Sequence, residues 1–308
     1  MRTLPAAILA IFFATVLPGA AKDEWAIGHG PFVTAADVRD HNRAALDWRD
    51  LKALVDRAQP DWPAALTLYA YGRHFKNHSL GIVADDYNGR FGAVLPLSSR
   101  HFGTPSFQAL QWNAALMRTS RFRRTSDADR VAFLGGAAPA LMINWARYEL
   151  AEAERKAKAA RPNWALTNGS PKNWNEIFAF YYGPGGKDSV FEAVTEAGQG
   201  ALNERLFAAL AEGQDALVKQ AWPAEAARRT RDLLDQASLV LLRHALSSGL
   251  DTDPSKARLR ASGAWMAAAE AALASPGLAA AIEPALAEQA DATASRTAIE
   301  ALSRAIAP

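Results

Sequence analysis

The sequence contains no cysteine, so a disulfide framework, a thiol nucleophile, an iron–sulfur cluster and a thiolate zinc site are excluded. Any metal must rest on oxygen and imidazole ligands. A charge excess of one sign is lacking too. The 34 Lys and Arg face 32 Asp and Glu across 308 residues, which leaves no electrostatic footprint for nucleic acid. Runs of β-branched residues are scarce, and apolar residues recur at helical rather than alternating spacing, which predicts an all-α multi-helix bundle. There is no G-x-S-x-G elbow and no phosphate-cradling glycine loop. Gly183-Pro184-Gly185-Gly186-Lys187 follows a helix instead of a strand and reads as a helix stop.

Only one long apolar run is present, at the N-terminus. Met1-Arg2-Thr3 brings positive charge, Pro5 to Val16 is almost wholly apolar, and Leu17-Pro18-Gly19-Ala20-Ala21 supplies the small residues at which a signal peptidase cuts. The run is short for a membrane span, which needs roughly 20 residues. Residues 1–21 therefore read as a signal peptide, and the expected location is a periplasm or the exterior, with no span left after cleavage. Residues 22–220 are expected to form the helical core that holds any metal or ligand. Residues 221–308, rich in alanine and poor in aromatics, read as scaffold packed on the same domain.

Within that core, Thr34 with Asp37 resembles a capping box opening a helix to about Arg57, and a second helix is expected from Trp62 to Asn77. Asn88-Gly89, Pro96 and Gly103 mark residues 81–104 as a long ordered loop. Thr104-Pro105 starts a helix to about Met117, Ser126 with Asp129 a long one to about Ala159, and Ser170-Pro171 a short one ending at Gly183. Further helices are expected to break near Gln220–Pro223, Gly249–Pro254, Ser275–Gly277 and Glu283-Pro284. One echo runs through the chain: Asp61-Trp62, Tyr71-Gly72, Lys76 and Ser79 recur as Asn173-Trp174, Tyr182-Gly183, Lys187 and Ser189. It reads either as a duplication giving two pseudo-symmetric halves or as the ordinary habit of glycine ending helices.

Two glutamates interrupt apolar helix faces. Trp174, Ile177, Phe178 and Tyr181 share one face at i, i+3, i+4, i+7, and Glu176 sits about 100° from Ile177 among aromatics. Burying that carboxylate is costly unless it is paired, protonated or bound to a metal; the alternative is a solvent-facing glutamate near a helix N-terminus. Glu149 continues the stripe of Ala138, Met142 and Trp145, whereas Glu152 falls where the helix turns charged. His74 and His78, four apart with Tyr71 a turn earlier, face one ligand or are simply half-exposed near a helix end. His101 in the expected loop could close over a site, and His244 beside Leu241 and Leu242 reads as a core histidine. His29 and His41 show no pattern.

Trp174-Asn175-Glu176 followed by Ala179-Phe180-Tyr181-Tyr182-Gly183, the stretch Asn144-Trp145-Ala146-Arg147-Tyr148-Glu149-Leu150, and Tyr71-Gly72-x-x-x-Lys76 together resemble the low-iron-inducible periplasmic protein family, known from algal iron-assimilation proteins. The stretch around Trp174 is also similar to helical periplasmic proteins related to imelysin. The resemblance implies an extracytoplasmic helical protein of iron acquisition. By matched position it carries over Glu176 first and Glu149 second, and not the histidines.

Three functions are compatible with these residues. The first is a non-catalytic iron- or metal-binding protein using Glu149 and Glu176, with Tyr148 and Tyr181 as phenolate donors and His74 as nitrogen donor, since ferric iron prefers hard oxygen ligands and bundles hold iron between helices. The second is a binding module for a small organic or carbohydrate ligand, with Trp62, Trp174, Tyr181 and Tyr182 lining an aromatic pocket and Lys187 or Lys76 holding an anion. The third is a hydrolase with Glu149 and Glu176 as an acid/base pair.

Overall fold

In the computed structural model of the chain, the described residues are 26–76, 78–85 and 90–306. The signal peptide expected at 1–21 and the Asn88-Gly89 turn lie outside them. The described residues form an all-α bundle preceded by one short antiparallel hairpin, β1 (Gly28–His29) and β2 (Phe32–Val33). Thr34 belongs to the base of that hairpin. Its Oγ accepts from the Ile27 N–H at 3.0 Å while its own N–H reaches the Ile27 carbonyl, so it caps no helix. The first helix opens later than its apparent capping box, as α1 (Arg39–Asn42), and restarts after Arg43 as α2 (Ala44–Val55).

Next, α3 (Trp62–Tyr71) stops six residues short of the expected Asn77. Gly72 leaves the helix at φ +66°, a conformation that favours glycine. The chain is then turned by the fully buried Asp47 carboxylate, which accepts the N–H groups of Arg73 at 3.0 Å, His74 at 2.8 Å and Phe75 at 3.3 Å. Replacing Asp47 with Ala strands these donors. Urea unfolding is expected to show a loss of about 3 kcal/mol; a midpoint within experimental error of the parent would refute this account of the turn.

The described part of 81–104 is largely helical rather than a loop. It includes α4 (Leu80–Ala84), capped by Ser79 Oγ, then α5 (Arg90–Val94) and α6 (Pro96–His101). The first amides of α6 donate to the Glu270 carboxylate, Leu97 at 3.3 Å and Ser98 at 2.8 Å. Helices this short show no periodicity in the sequence, and this cap is supplied from more than 170 residues away.

The long elements follow: α7 (Phe107–Met117), α8 (Asp127–Ala157), α9 (Ser170–Tyr182), α10 (Val190–Glu196), α11 (Gly200–Val218), α12 (Ala224–Ser247), α13 (Pro254–Leu273), α14 (Pro276–Leu286) and α15 (Ala292–Ile306). Ser126 and Asp129 form the expected reciprocal capping box at the start of α8. Pro284 does not break α14, which runs on to Leu286. Among the described residues no helix is long and apolar enough to cross a membrane.

One hydrophobic core runs from β2 to α15, so the alanine-rich C-terminal helices share it. Small residues set its tightest crossings. A Cβ on Gly136 of α8 would lie 1.9 Å from the Arg260 carbonyl oxygen of α13, and one on Gly263 of α13 would lie 2.3 Å from the Phe133 oxygen of α8. The Trp174 ring likewise fills the place of a Gly213 side chain, and its indole N–H donates to Leu210 O at 2.9 Å. On another face of α8, the buried Arg147 donates to Asn144 Oδ1, the Ala267 carbonyl and Asp235, tying α8 to α12 and α13.

The sequence echo has a local structural counterpart. Both α3 and α9 end in Tyr followed by a glycine at φ +66° and +64°, and Ser79 and Ser189 each cap the next helix by accepting from the third residue on.

Candidate functional site

Glu149 of α8 and Glu176 of α9 meet inside the bundle, 3% and 5% exposed, where one side-chain amide, that of Asn173, donates to both carboxyl groups. The reason lies in helix phase. Asn144 and Arg147 point α8 toward α12 and α13, which turns Glu149 to the side on which α9 packs. On α9, the stripe Trp174, Ile177, Phe178, Tyr181 is fully buried, and Glu176 projects from its flank beside Asn173, one turn earlier.

Asn173 is the hinge pin of the pair. Its Nδ2 donates both to Glu149 Oε2 and, at 3.1 Å, to Glu176 Oε2. Its Oδ1 accepts from Lys156 Nζ at 2.6 Å, and that ammonium also holds the Asn168 carbonyl at 2.8 Å. The other oxygen of Glu176, Oε1, faces His41 Nε2 at 3.2 Å and Lys172 Nζ at 3.4 Å; Lys172 also donates to the Asp37 carbonyl. Burial, and then the neighbouring Glu176 carboxyl, push the Glu149 carboxyl well above the usual range. His41 is shifted down, mainly by burial, against the pull of Glu176. Its Nδ1 has no hydrogen-bond partner among the described residues, and its ring lies 5.6 Å from those of Phe75 and Phe180 and 5.8 Å from that of His78.

The other expected ligands are elsewhere. His74 lies beyond the end of α3 and pairs with Asp50 at 2.9 Å, so it and His78 do not share a helical face. Tyr181 points away from the pair, its hydroxyl donating to Asn203 Oδ1 at 2.7 Å. Tyr148, half-buried, packs its ring on Trp145. The aromatic pocket is not assembled either. Trp174 and Tyr181 are core, Tyr182 stacks with Phe178, and Trp62 lies under the Arg130 guanidinium at 3.5 Å. Lys187 is exposed and pairs with Glu192 at 2.9 Å. His101 accepts from the Trp265 indole at 3.2 Å and closes over no site residue. His244 is half-buried and makes no side-chain hydrogen bond among the described residues; it is not enclosed in the core.

Two carboxylates and an imidazole suit a hard or borderline cation by donor chemistry. They are not a preassembled ligand set: among the described residues no group of three or more His, Asp or Glu side chains is laid out to hold a metal ion. The residues missed by sequence reasoning are His41, Asn173, Lys172 and Lys156. Asn173 and Lys172 sit three and four residues before Glu176, one helical turn away, a spacing the sequence does contain. His41 comes from a four-residue helix and carries no periodic signal.

No protein-family model matches the chain, and neither a curated protein nor a solved structure does so.

Proposed function

We propose that the protein is an exported, non-catalytic binding protein that takes up a hard metal ion, iron first among them, at the Glu149–Glu176 pair. Glu149 and Glu176 would supply the oxygen donors and His41, not His74, the nitrogen. The observation that carries this reading is the burial of two carboxyl groups from separate helices against the same Asn173 amide nitrogen, an arrangement that costs free energy unless a proton or a cation sits between them. The resemblance to iron-assimilation proteins points the same way.

Calorimetric titration of the full chain with ferric nitrilotriacetate and with ferrous iron under argon tests the proposal. Binding is expected to tighten as pH rises, because the raised Glu149 carboxyl must lose its proton to ligate, and to be lost in Glu176→Ala with the helical circular dichroism retained. Unchanged affinity in that variant, or no binding by the parent to either ion, would sink it. Elemental analysis of protein purified from its native host should then find the same metal.

A further inference from the structure

A second site lies apart from the carboxyl pair, in an open cleft of about 390 Å³ between α2, α8, α10, α12 and α13. Its volume falls within the range of small-molecule pockets. Its floor is apolar: Pro139 and Met142 of α8, Leu241 of α12 and Ala264 of α13. Its two walls carry opposite charge. On one side stand Arg260 and the His244 imidazole, shifted down by burial, and on the other Asp188, Glu192 and Glu196, with Lys52 near Asp188.

Among the described residues Arg260, His244, Asp188 and Glu196 form no ion pair, although Lys52 and Arg49 act on Asp188 and Glu196 acts on His244 from a distance. Arg260 makes only a 3.4 Å contact with Ser248 Oγ among the described residues, and its Nε lies 3.9 Å from where a Cβ on Gly135 would stand. Among those same described residues His244 makes no side-chain hydrogen bond and the Asp188 carboxyl accepts none. Glu192, by contrast, is spent on Lys187 and the Asp188 N–H. Asp188 itself is held at φ +50°, a conformation that costs a non-glycine residue free energy and recurs where a side chain is aimed at a ligand.

We infer that this cleft binds a small zwitterion with an apolar body, of the class of a free amino acid or dipeptide, its carboxylate held by Arg260 and His244 and its ammonium by Asp188 and Glu196. A carboxylate is met best by the planar fork of arginine. The apolar floor accepts a side chain, and the openness of the cleft leaves the ligand's two charged ends partly solvated, so the expected affinity is modest.

Calorimetry with leucine and leucyl-leucine on the full, chelator-treated chain is the test, with N-acetyl-leucine and leucinamide as probes that each keep one charge. At least one zwitterion should bind, and both single-charge analogues should bind at least ten-fold more weakly. Arg260→Met and Asp188→Asn should each weaken zwitterion binding at least ten-fold while the thermal midpoint holds; asparagine tolerates the positive φ. Absence of heat from either zwitterion at millimolar concentration, equal binding of N-acetyl-leucine, or unchanged affinity in both variants would overturn the assignment. Neither variant touches Glu149, Glu176 or His41, so the result is independent of metal binding at the pair.

Discussion

Gly263→Ala is expected to destabilise the protein by about 3 kcal/mol or more, the upper end of what overpacking costs. The added Cβ would stand 2.3 Å from the Phe133 oxygen and 2.6 Å from the Ala137 nitrogen. Both are backbone atoms of α8, so no side chain can swing aside, and α8 and α13 must separate along a contact that buries Ala137, Ala264 and Ala268. Gly136→Ala approaches the same contact from the other helix, with its Cβ 1.9 Å from the Arg260 oxygen, and should cost as much. The two losses should not add, because once the helices have parted for one methyl group the second finds room. Gly277→Ala in α14 is the control: nothing lies within 4 Å of its Cβ, and alanine is the better helix former. Thermal and urea unfolding followed by circular dichroism decide the matter. A Gly263→Ala midpoint matching that of Gly277→Ala would show that the crossing is not set by backbone contact.

Glu149→Gln is expected to change the shape of the stability profile against pH in metal-free protein. Burial and Glu176 raise the Glu149 carboxyl in the folded chain, whereas in the unfolded chain it titrates in the ordinary carboxyl range. Between those two points the folded state holds a proton that the unfolded state has released, so stability falls as pH rises. The slope approaches about 1.4 kcal/mol per pH unit for one full proton. Glutamine keeps a donor toward Glu176 and an acceptor toward Asn173 without a titratable proton, so the variant should lose this slope. It should be more stable than the parent at neutral and alkaline pH and similar below the ordinary carboxyl range. His41, shifted down by burial, acts on the other limb: stability should fall as pH drops below about 6.5, where the unfolded imidazole gains its proton first. Urea midpoints from pH 4 to 9 measure both limbs. Parallel profiles for parent and Glu149→Gln would mean that the proton is not held at this pair.

The two glutamates were legible because each interrupts a helical apolar stripe, and a charge placed where a leucine would serve has to be explained. Helix limits were legible where the signal is local: Ser126 with Asp129 at α8, and Ser170-Pro171 to Gly183 at α9. They were not where a distant residue decides. Asp47 ends what looks like a continuing helix after Tyr71, and Glu270 starts α6 inside what reads as a loop. Thr34 shows that one side chain can serve a hairpin or a helix cap, and the partner, here Ile27, chooses between them. His41 was beyond reach for the same reason, since its role exists only through the packing of α1 on α9. The cleft is harder still to foresee: its walls are drawn from five helices, and its charges are ordinary surface residues until the fold sets them opposite one another.

The anchoring of Asn173 by Lys156 has a chemical consequence. With its carbonyl end fixed on an ammonium, the amide can present only its nitrogen to the two acids within. Hydrolysis of that amide to aspartate, a common form of protein ageing, would exchange the donor shared by both carboxyl groups for a third acid in the same chamber. Asn173→Asp should therefore lose the integrity of this chamber before it loses its helices.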